Sequence, residues 1–552
     1  MKSACFFLLL AFFLETVPGN NNRVRIQEGT LAGMRIYTRH GRRIHAFTGI
    51  PYAEPPIGHL RLFRDPVPKR EWQGVLNART PGNVCLQDSS RTGKLIGSED
   101  CLVLNVYTPR VTAIDSTLMP VMVFIPGGGF VRGDGRLEAY SPAYLLDKDV
   151  VLVTMNYRLH IFGFLSTGDM ISPGNYGLKD QRLALQWVKR NIHAFGGDPN
   201  KVTLFGNSVG AASVGIHTIS ENSQPYFQQY ILESGFANMP WTYTLNPIYF
   251  DYATLIATKL NCPTITVSAA VECLRHLPSK ELYAAADDVK TSTGIPFRLA
   301  IEPKYDNAVL TDSPTNLMRQ GKMMDVPAIL GIGRDEGLIY TAEYYINDTL
   351  YQALFFCRGK VFVLPRYFTS LNLCTFKLLT RLTEFGGDFQ YIYPFTLTRD
   401  SLRNSKHSVF LYLFSFVDRV STTQLQTHSD AVLGVSHGDE LYYLFLWNYV
   451  YNPKLLRHKT KSQNKMINLM VDFWTSFARD GVPTSHHLSD PRIWRPTSES
   501  NWTTYLQIGN NSDATVTVKQ HFMEERIQFW QTRISEYPIF SRVPLNFRYC
   551  RL

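Results

Sequence analysis

A five-residue pattern centred on a serine is the feature of this sequence that most directly suggests chemistry. Residues 206–210 read Gly-Asn-Ser-Val-Gly; an apolar segment at 202–205 precedes them and small residues follow. A G-x-S-x-G pattern between a strand and a helix forms a sharp turn that lifts the serine hydroxyl out of the backbone. Side chains at either glycine would collide with the neighbouring strand or helix. The pattern predicts Ser208 as a nucleophile, and a serine that caps a helix is the alternative.

A run of glycines supplies what a serine nucleophile also needs. Residues 126–130 read Pro-Gly-Gly-Gly-Phe, directly after the apolar segment 121–125. Attack on a carbonyl puts negative charge on its oxygen, and fixed N–H donors stabilise that charge. Because consecutive glycines let several N–H groups point to one place, Gly128 and Gly129 are predicted to join the Val209 N–H there. A flexible turn and a phosphate-binding loop are the alternatives, but no Gly-Lys-Ser/Thr follows.

The serine needs a base, and in this kind of site a histidine follows the acid along the chain. His437 is the candidate, since it lies in a loop with glycines on both sides, Gly-Val-Ser-His-Gly-Asp-Glu. His407, His428 and the His486-His487 pair fit ordinary surface positions, and the sequence alone leaves the choice of base open.

The acid is expected in a glycine-rich turn at residues 331–337. This turn follows a strand-like segment and contains two adjacent carboxylates, Asp335 and Glu336. Spacing does not choose between them, and a salt-bridged turn is the alternative interpretation.

The segments around these residues predict an α/β fold. Continuous Val/Ile/Leu runs separated by helical patterns indicate a mostly parallel sheet covered on both faces, and ligands of such sheets bind beyond the carboxyl ends of the strands. Strands are predicted at residues 121–125, 150–154, 202–205, 328–332 and 409–414, with a helix at 182–191. No repeat, heptad pattern or linker divides residues 20–552, which predicts one domain with long insertions.

Composition indicates a globular protein with a large core. Of its 552 residues, 45% are hydrophobic and 18% are charged. The net charge is +10, from 56 Lys and Arg against 46 Asp and Glu. This excess does not predict nucleic-acid binding, which requires clustered charge or a known signature. The densest basic stretch, at residues 454–465, is interpreted as a solvated surface.

The first 19 residues have the pattern of a signal peptide. Lys2 precedes an apolar run at residues 6–14, and Pro18 and Gly19 follow it. The run is shorter than the ~20 residues that a membrane span needs. The tail at 546–552 is polar and basic, so it lacks the hydrophobic end of a lipid-anchor signal. These features predict a secreted protein without a membrane anchor.

An oxidising compartment favours cysteine pairing, and seven of the eight cysteines lie after residue 19. Cys550 is left over by the spacing and would be free to link two chains in a homodimer. No metal site is expected, since the cysteines form no C-x-x-C pair and have no close histidine partners. The expected disulfides are Cys85–Cys101, Cys262–Cys273 and Cys357–Cys374, and the sequons for N-glycosylation are at Asn347, Asn501 and Asn510.

Motifs spread over nearly the whole chain resemble the type-B carboxylesterases, which are related to the cholinesterases and have the α/β-hydrolase fold. The resemblance is closest to secreted insect-type carboxylesterases. Its motifs are FTGIPYAEPP at 47–56, SEDCLVLNVY at 98–107, NYRL at 156–159, GNYGLKDQR at 174–182 and FGGDP at 195–199.

The resemblance implies a hydrolase that cleaves carboxylic esters through an acyl-enzyme and requires no metal or organic cofactor. It implies Ser208 as nucleophile, His437 as base and then acid, and Glu336 rather than Asp335 as the acid. The first two disulfides match the family. It further implies oxyanion donors at Gly128, Gly129 and Val209, a supporting role for Ser234, and an acyl pocket lined by Trp241.

The sequence also departs from the family's pattern. Asn207 stands where the family often has Glu, Val209 where it nearly always has Ala, and His160 where it has Gly. Pro126 replaces an aromatic residue or His. These departures favour reduced or narrow activity, and the alternative function is a weak or silent binding, adhesion or ester-sequestering protein. The loop between Cys85 and Cys101 has no Trp, which argues against choline esters. The Gly-Gln-Ser-Ala-Gly form typical of juvenile-hormone esterases is also absent.

Overall fold

An eleven-stranded sheet organises the part of the chain that the computed structural model describes. The described residues are 22–58, 61–89, 92–111, 117–243, 247–289, 297–347, 375–447 and 459–536. The strands of the sheet are β1 (Met34–Tyr37), β2 (Arg43–Pro51), β3 (Val103–Thr108), β4 (Met119–Ile125), β5 (Val151–Met155), β6 (Gly197–Asn207), β7 (Gln229–Glu233), β8 (Ala328–Gly333), β9 (Val409–Phe416), β10 (Tyr505–Asn511) and β11 (Asp513–Lys519).

The middle of this sheet is parallel and its edges are antiparallel. The strand order is β11-β10-β9-β8-β7-β6-β4-β5-β3-β2-β1. Every neighbouring pair from β10 to β5 is parallel, whereas β11 and β1 to β3 pair antiparallel. The prediction of a mostly parallel sheet is confirmed. Since β6, β7 and β8 are neighbours, their carboxyl ends open onto one edge of the sheet.

The apolar runs are continuous because both faces of the sheet are covered. In β4, Val121, Val123 and Ile125 belong to one core cluster, while Met122 and Phe124 belong to a second cluster on the other face. Successive side chains of a strand point to opposite faces, so a strand buried on both sides shows no polar alternation.

Helices cover the two faces and the loops between strands. The predicted helix at 182–191 is confirmed, but it begins earlier, at Tyr176. The preceding Asn175 is left-handed with φ 54° and caps no N–H with its side chain, so the start has no sequence signal. The helices are α1 (His160–Phe164), α2 (Tyr176–Asn191), α3 (Val209–Ile219), α4 (Pro247–Lys259), α5 (Val267–Arg275), α6 (Ser279–Asp288), α7 (Pro314–Arg319), α8 (Leu338–Ile346), α9 (Thr375–Gly387), α10 (Tyr393–Ser401), α11 (Thr422–Thr427), α12 (Lys461–Asp480) and α13 (Glu524–Glu536).

Two of the expected disulfides are formed. Cys85–Cys101 closes a loop with a short hairpin, and Cys262–Cys273 ties the end of α4 to α5. The third expected pair, Cys357 with Cys374, lies outside the described residues, as do Cys550 and the predicted signal peptide at 1–19. None of the described helices is long and apolar enough to cross a membrane.

Candidate active site

Ser208 forms the turn between a central strand and a helix. Strand β6 ends at Asn207 and helix α3 begins at Val209. The backbone at Ser208 has φ 59° and ψ −130°, a conformation that residues other than glycine rarely adopt. Such strained residues cluster at functional sites, where the surrounding structure holds them in place. The serine therefore stands at the carboxyl edge of the sheet, in the turn that the G-x-S-x-G pattern predicts.

The glycines around Ser208 allow three pieces of backbone to pack closely. A β-carbon on Gly206 would lie 2.7 Å from the Gly210 carbonyl carbon and 2.7 Å from the Ile125 oxygen. A β-carbon on Gly210 would also collide with that oxygen, and one on Gly235 would collide with the Ser208 carbonyl. The turn is thus wedged between the ends of β4 and β7, which fixes its position.

The glycine loop after β4 lies against this turn. A β-carbon on Gly127 would approach the Ser208 β-carbon to 3.1 Å. Gly128 and Gly129 have φ values of 127° and 68°, which glycine adopts easily. Among the main-chain hydrogen bonds of the described residues, none uses the N–H of Gly128 or Gly129. Neither N–H is therefore used by a main-chain acceptor among these hydrogen bonds.

Two of the departures from the family pattern flank this loop. The Pro126 carbonyl accepts a hydrogen bond of 2.8 Å from the Tyr157 hydroxyl, which anchors the loop at its start. At its other end the His160 N–H donates to the Phe130 carbonyl at 2.7 Å. The His160 ring is buried and stacks on Tyr283, with 4.5 Å between ring centroids. Burial lowers its pKa to about 3, so the ring is neutral.

His437 and Glu336 are hydrogen bonded to each other. The distance from His437 Nδ1 to Glu336 Oε2 is 2.7 Å, and both side chains are buried. The other carboxylate oxygen accepts the Gly333 N–H at 2.6 Å and the Ser234 hydroxyl. These donors fix the carboxylate, and the carboxylate in turn fixes the imidazole.

Asp335, the other acid that the sequence left open, faces a different way. Its carboxylate accepts the Val435 N–H at 3.0 Å and forms an ion pair with Arg334 at 2.9 Å. Asp335 therefore holds the loop that carries His437, and these contacts do not involve the imidazole. Of the two adjacent acids, Glu336 thus binds the His437 ring and Asp335 binds the backbone of the loop that carries it.

The serine turn and the histidine loop are tied together directly. Asn207 Nδ2 donates to Glu440 Oε1 at 2.9 Å, and these residues stand one before Ser208 and three after His437. His437 Nε2 has no hydrogen-bond partner among the described residues. The ring thus has one nitrogen oriented by a carboxylate and the other free to exchange a proton. Sequence reasoning flagged Asn207 as a departure but did not find Glu440.

Three further acids are buried near His437 and Glu336. Burial raises the pKa of Glu233 to about 8, although a hydrogen bond of 2.6 Å from Trp474 opposes this. Burial and the nearby Glu233 and Glu336 raise the pKa of Glu440 well above its ordinary value. Burial raises the pKa of Asp439 to about 7. The low-polarity surroundings therefore disfavour the charged forms of these three acids.

A chain of aromatic rings leads from His437 to Trp241. The His437 and Tyr391 ring centroids are 5.1 Å apart, and those of Tyr391 and Trp241 are 6.5 Å apart. The Tyr391 hydroxyl lies 3.4 Å from that of Tyr340. Trp241, the residue expected to line the acyl pocket, is therefore separated from His437 by one ring, that of Tyr391. Nothing in the sequence marks the two tyrosines, because aromatic residues occur throughout the chain.

The asparagines of the three predicted N-glycosylation sequons are all on the surface. Asn347, Asn501 and Asn510 are exposed, at the end of α8, in a short helical turn and near the end of β10. Each is thus accessible to a glycosylating enzyme.

Comparison with known proteins assigns this site to a family. The sequence profile of the carboxylesterase family matches residues 20–530. The chain belongs to the carboxylesterase family. The esterase is 35% identical to Esterase FE4 of Myzus persicae over 91% of its own length and 92% of that protein. It is 33% identical to a carboxylic ester hydrolase of Bombus ignitus, in an alignment that covers 96% of this chain and 98% of that protein.

Relatives with narrower names are nearly as similar. The esterase is 34% identical to the juvenile hormone esterase of Tribolium castaneum, over 93% and 94% of the two chains. It is 32% identical to the acetylcholinesterase of Bungarus fasciatus, over 91% and 85%. The family and its members confirm the α/β-hydrolase fold and identify the protein as a carboxylic ester hydrolase.

Proposed function

We propose that the esterase hydrolyses its substrate through an acyl-enzyme formed on Ser208, with His437 as general base and Glu336 as the acid that orients it. The observation that carries this proposal is the 2.7 Å hydrogen bond between His437 Nδ1 and Glu336, which leaves Nε2 without a described partner. A carboxylate at Nδ1 fixes the tautomer in which Nε2 accepts a proton.

The reaction has two halves that use the same groups. Ser208 Oγ attacks the carbonyl carbon and its proton passes to His437 Nε2. The tetrahedral intermediate collapses, the alcohol takes the proton from Nε2, and the acyl group stays on Ser208. A water molecule then attacks the acyl carbon and loses a proton to Nε2. The carboxylic acid leaves as Ser208 Oγ takes this proton back from Nε2, which restores the free enzyme. Glu336 stabilises the imidazolium in both halves and remains ionised.

The negative charge of each intermediate rests on main-chain donors. The N–H groups of Gly128, Gly129 and Val209 are proposed to bind the oxyanion, because two of them belong to a loop that packs against Ser208 and the third starts helix α3. Donors fixed in advance favour the transition state over the ground state, since the protein does not reorganise when the charge develops.

The substrate is proposed to be an uncharged carboxylic ester. The loop closed by Cys85 and Cys101 contains no tryptophan on which a quaternary ammonium group could stack. Trp241 and Tyr391, which line up beside His437, offer an apolar surface to the acyl group.

A fluorophosphonate probe tests the nucleophile and the base together. The full-length protein is labelled, and peptide mass mapping locates the adduct. We expect the adduct on Ser208 and its loss in His437→Ala. His407→Ala, which removes an exposed histidine, is the matched control and is expected to label normally. Folded protein that stays unlabelled, or His437→Ala protein that labels at the normal rate, would overturn the proposal. Rapid labelling by a substrate ester with slow release would instead identify a sequestering esterase.

We also propose that the protein is secreted as a single domain after removal of residues 1–19. N-terminal sequencing of protein from the culture medium tests the cleavage near Gly19. Treatment with an N-glycosidase, followed by peptide mapping, tests Asn347, Asn501 and Asn510. A gel without reductant tests the disulfide-linked homodimer, which would disappear in Cys550→Ser.

A further inference from the structure

Two exposed histidines and a buried aspartate converge beside helix α12. Asp472 lies on the helix, and His486 and His487 lie in the loop that follows it. Asp472 Oδ2 is 3.0 Å from His486 Nδ1 and 4.0 Å from His487 Nε2. The three ligand atoms all lie within 4.8 Å of one another. The sequence suggested only a pair of surface histidines, since Asp472 is far from them along the chain.

We propose that Asp472, His486 and His487 bind one divalent transition-metal ion of the zinc class. Two imidazole nitrogens and one carboxylate oxygen suit zinc and its neighbours, whereas magnesium and calcium prefer sites made entirely of oxygen atoms. Three protein ligands leave a fourth position for water.

The distances are close to those that such an ion requires. With bonds of about 2.1 Å and tetrahedral angles, neighbouring ligand atoms are about 3.4 Å apart. The observed 3.0 Å and 4.0 Å lie on either side of that value. The side chain of His486 is 66% exposed and that of His487 is 36% exposed. Small rotations of these two imidazoles therefore bring all three ligands into range without moving the helix.

Neighbouring groups hold the carboxylate ready. Lys148 Nζ lies 2.7 Å from Asp472 Oδ1, and the Ser485 hydroxyl donates to Oδ2 at 2.8 Å. Oδ2 consequently faces the histidines, while Oδ1 is occupied by the lysine. Partners of this kind orient a metal ligand and tune its affinity. The positive charge of Lys148 also opposes a cation, so we expect weaker binding than at a structural zinc site with four protein ligands.

Both supporting segments are well fixed. Helix α12 begins with a capping box between Thr460 and Gln463 and ends at the left-handed Gly481. The loop is closed by a hydrogen bond of 3.0 Å from the Ser485 N–H to the Pro491 carbonyl. A bound ion would therefore join the loop to the helix and resist their separation. None of these residues belongs to the proposed triad, so metal binding and ester hydrolysis can be tested separately.

Calorimetric titration with zinc chloride tests the site. The full-length protein is used without an affinity tag, after treatment with EDTA and desalting. We expect one bound equivalent that is lost, or weakened at least ~10-fold, in His486→Ala and in His487→Ala. The control is His521→Ala, which removes a histidine that is 71% exposed and forms a similar ion pair with Glu524. This variant is expected to bind zinc as the wild type does.

A second measurement separates a metal site from a surface ion pair. Zinc is expected to raise the midpoint of thermal unfolding of the wild type and of His521→Ala, but not of the His486→Ala/His487→Ala double variant. Both histidines are exposed, so the double variant is expected to fold. If zinc binds the double variant with unchanged stoichiometry and affinity, or does not bind the wild type, the cluster is an ion pair only and the proposal is wrong.

Discussion

Replacing Glu233 with glutamine isolates the effect of one buried carboxyl group on stability. Glu233 ends strand β7 and is fully buried. One of its oxygens accepts the Trp474 N–H at 2.6 Å, and the other has no partner among the described residues. Glutamine has the same shape and keeps an acceptor for Trp474. Because it carries no charge at any pH, it mimics the protonated acid.

The size and sign of the effect follow from the pKa. In the folded protein the pKa of Glu233 is about 8, against an ordinary value of 4.5. Between these values the folded state holds a proton that the unfolded chain has lost, so the free energy of unfolding falls as pH rises. The two pKa values differ by about 3.5, which at about 1.4 kcal/mol per pH unit gives an upper limit of about 5 kcal/mol.

Urea unfolding of wild type and Glu233→Gln at pH values from about 5 to about 9, with disulfides intact, measures this difference. We expect similar stability near pH 5 and a variant that is more stable by a few kcal/mol near pH 9. Glu281→Gln, which removes an exposed carboxylate on helix α6, is the control and should follow the wild type. Parallel curves for wild type and Glu233→Gln across this range would refute the reasoning, since they would mean that Glu233 is ionised in the folded protein.

Three other predictions concern the catalytic region. Ser234→Ala removes one donor to Glu336, and in ester hydrolysis kcat should fall about 10-fold with KM unchanged. The reason is that a hydrogen bond to a charged group contributes about 1.5–3 kcal/mol. An unchanged kcat would argue against this positioning role. Asn207→Leu breaks the bond to Glu440 and should lower the rate of fluorophosphonate labelling, whereas Asn207→Gln should keep part of it. His160→Phe should raise the midpoint of thermal unfolding. Both ring nitrogens of His160 are buried without hydrogen-bond partners among the described residues, and each such group costs about 1–3 kcal/mol. A lower midpoint would show that these nitrogens are hydrogen bonded in the wild type.

The sequence predicts the site where the signal is local. The G-x-S-x-G pattern predicts the turn at Ser208, because the turn depends on the glycines beside it. Likewise the apolar runs predict the parallel strands, since burial on both faces leaves no polar alternation. The antiparallel strands were not predicted individually, because polar residues interrupt their apolar runs, as His45 does in β2 and Asn105 does in β3.

Contacts between distant segments were beyond sequence reasoning. Asn207 and Glu440 are 233 residues apart, and no local pattern links them. Spacing alone could not choose between Asp335 and Glu336, because their orientations depend on the loop that carries His437. The aromatic contact from Tyr391 to His437 was missed for the same reason.

The backbone conformation of Ser208 implies a conflict between stability and function. At φ 59° and ψ −130° a glycine would be relaxed, whereas the serine β-carbon strains the turn. Selection for stability alone would therefore replace this residue. If the hydroxyl is the nucleophile, as proposed, function alone maintains this residue. A lineage of this chain that no longer needed the chemistry is then expected to lose Ser208 early and to become more stable as it does so.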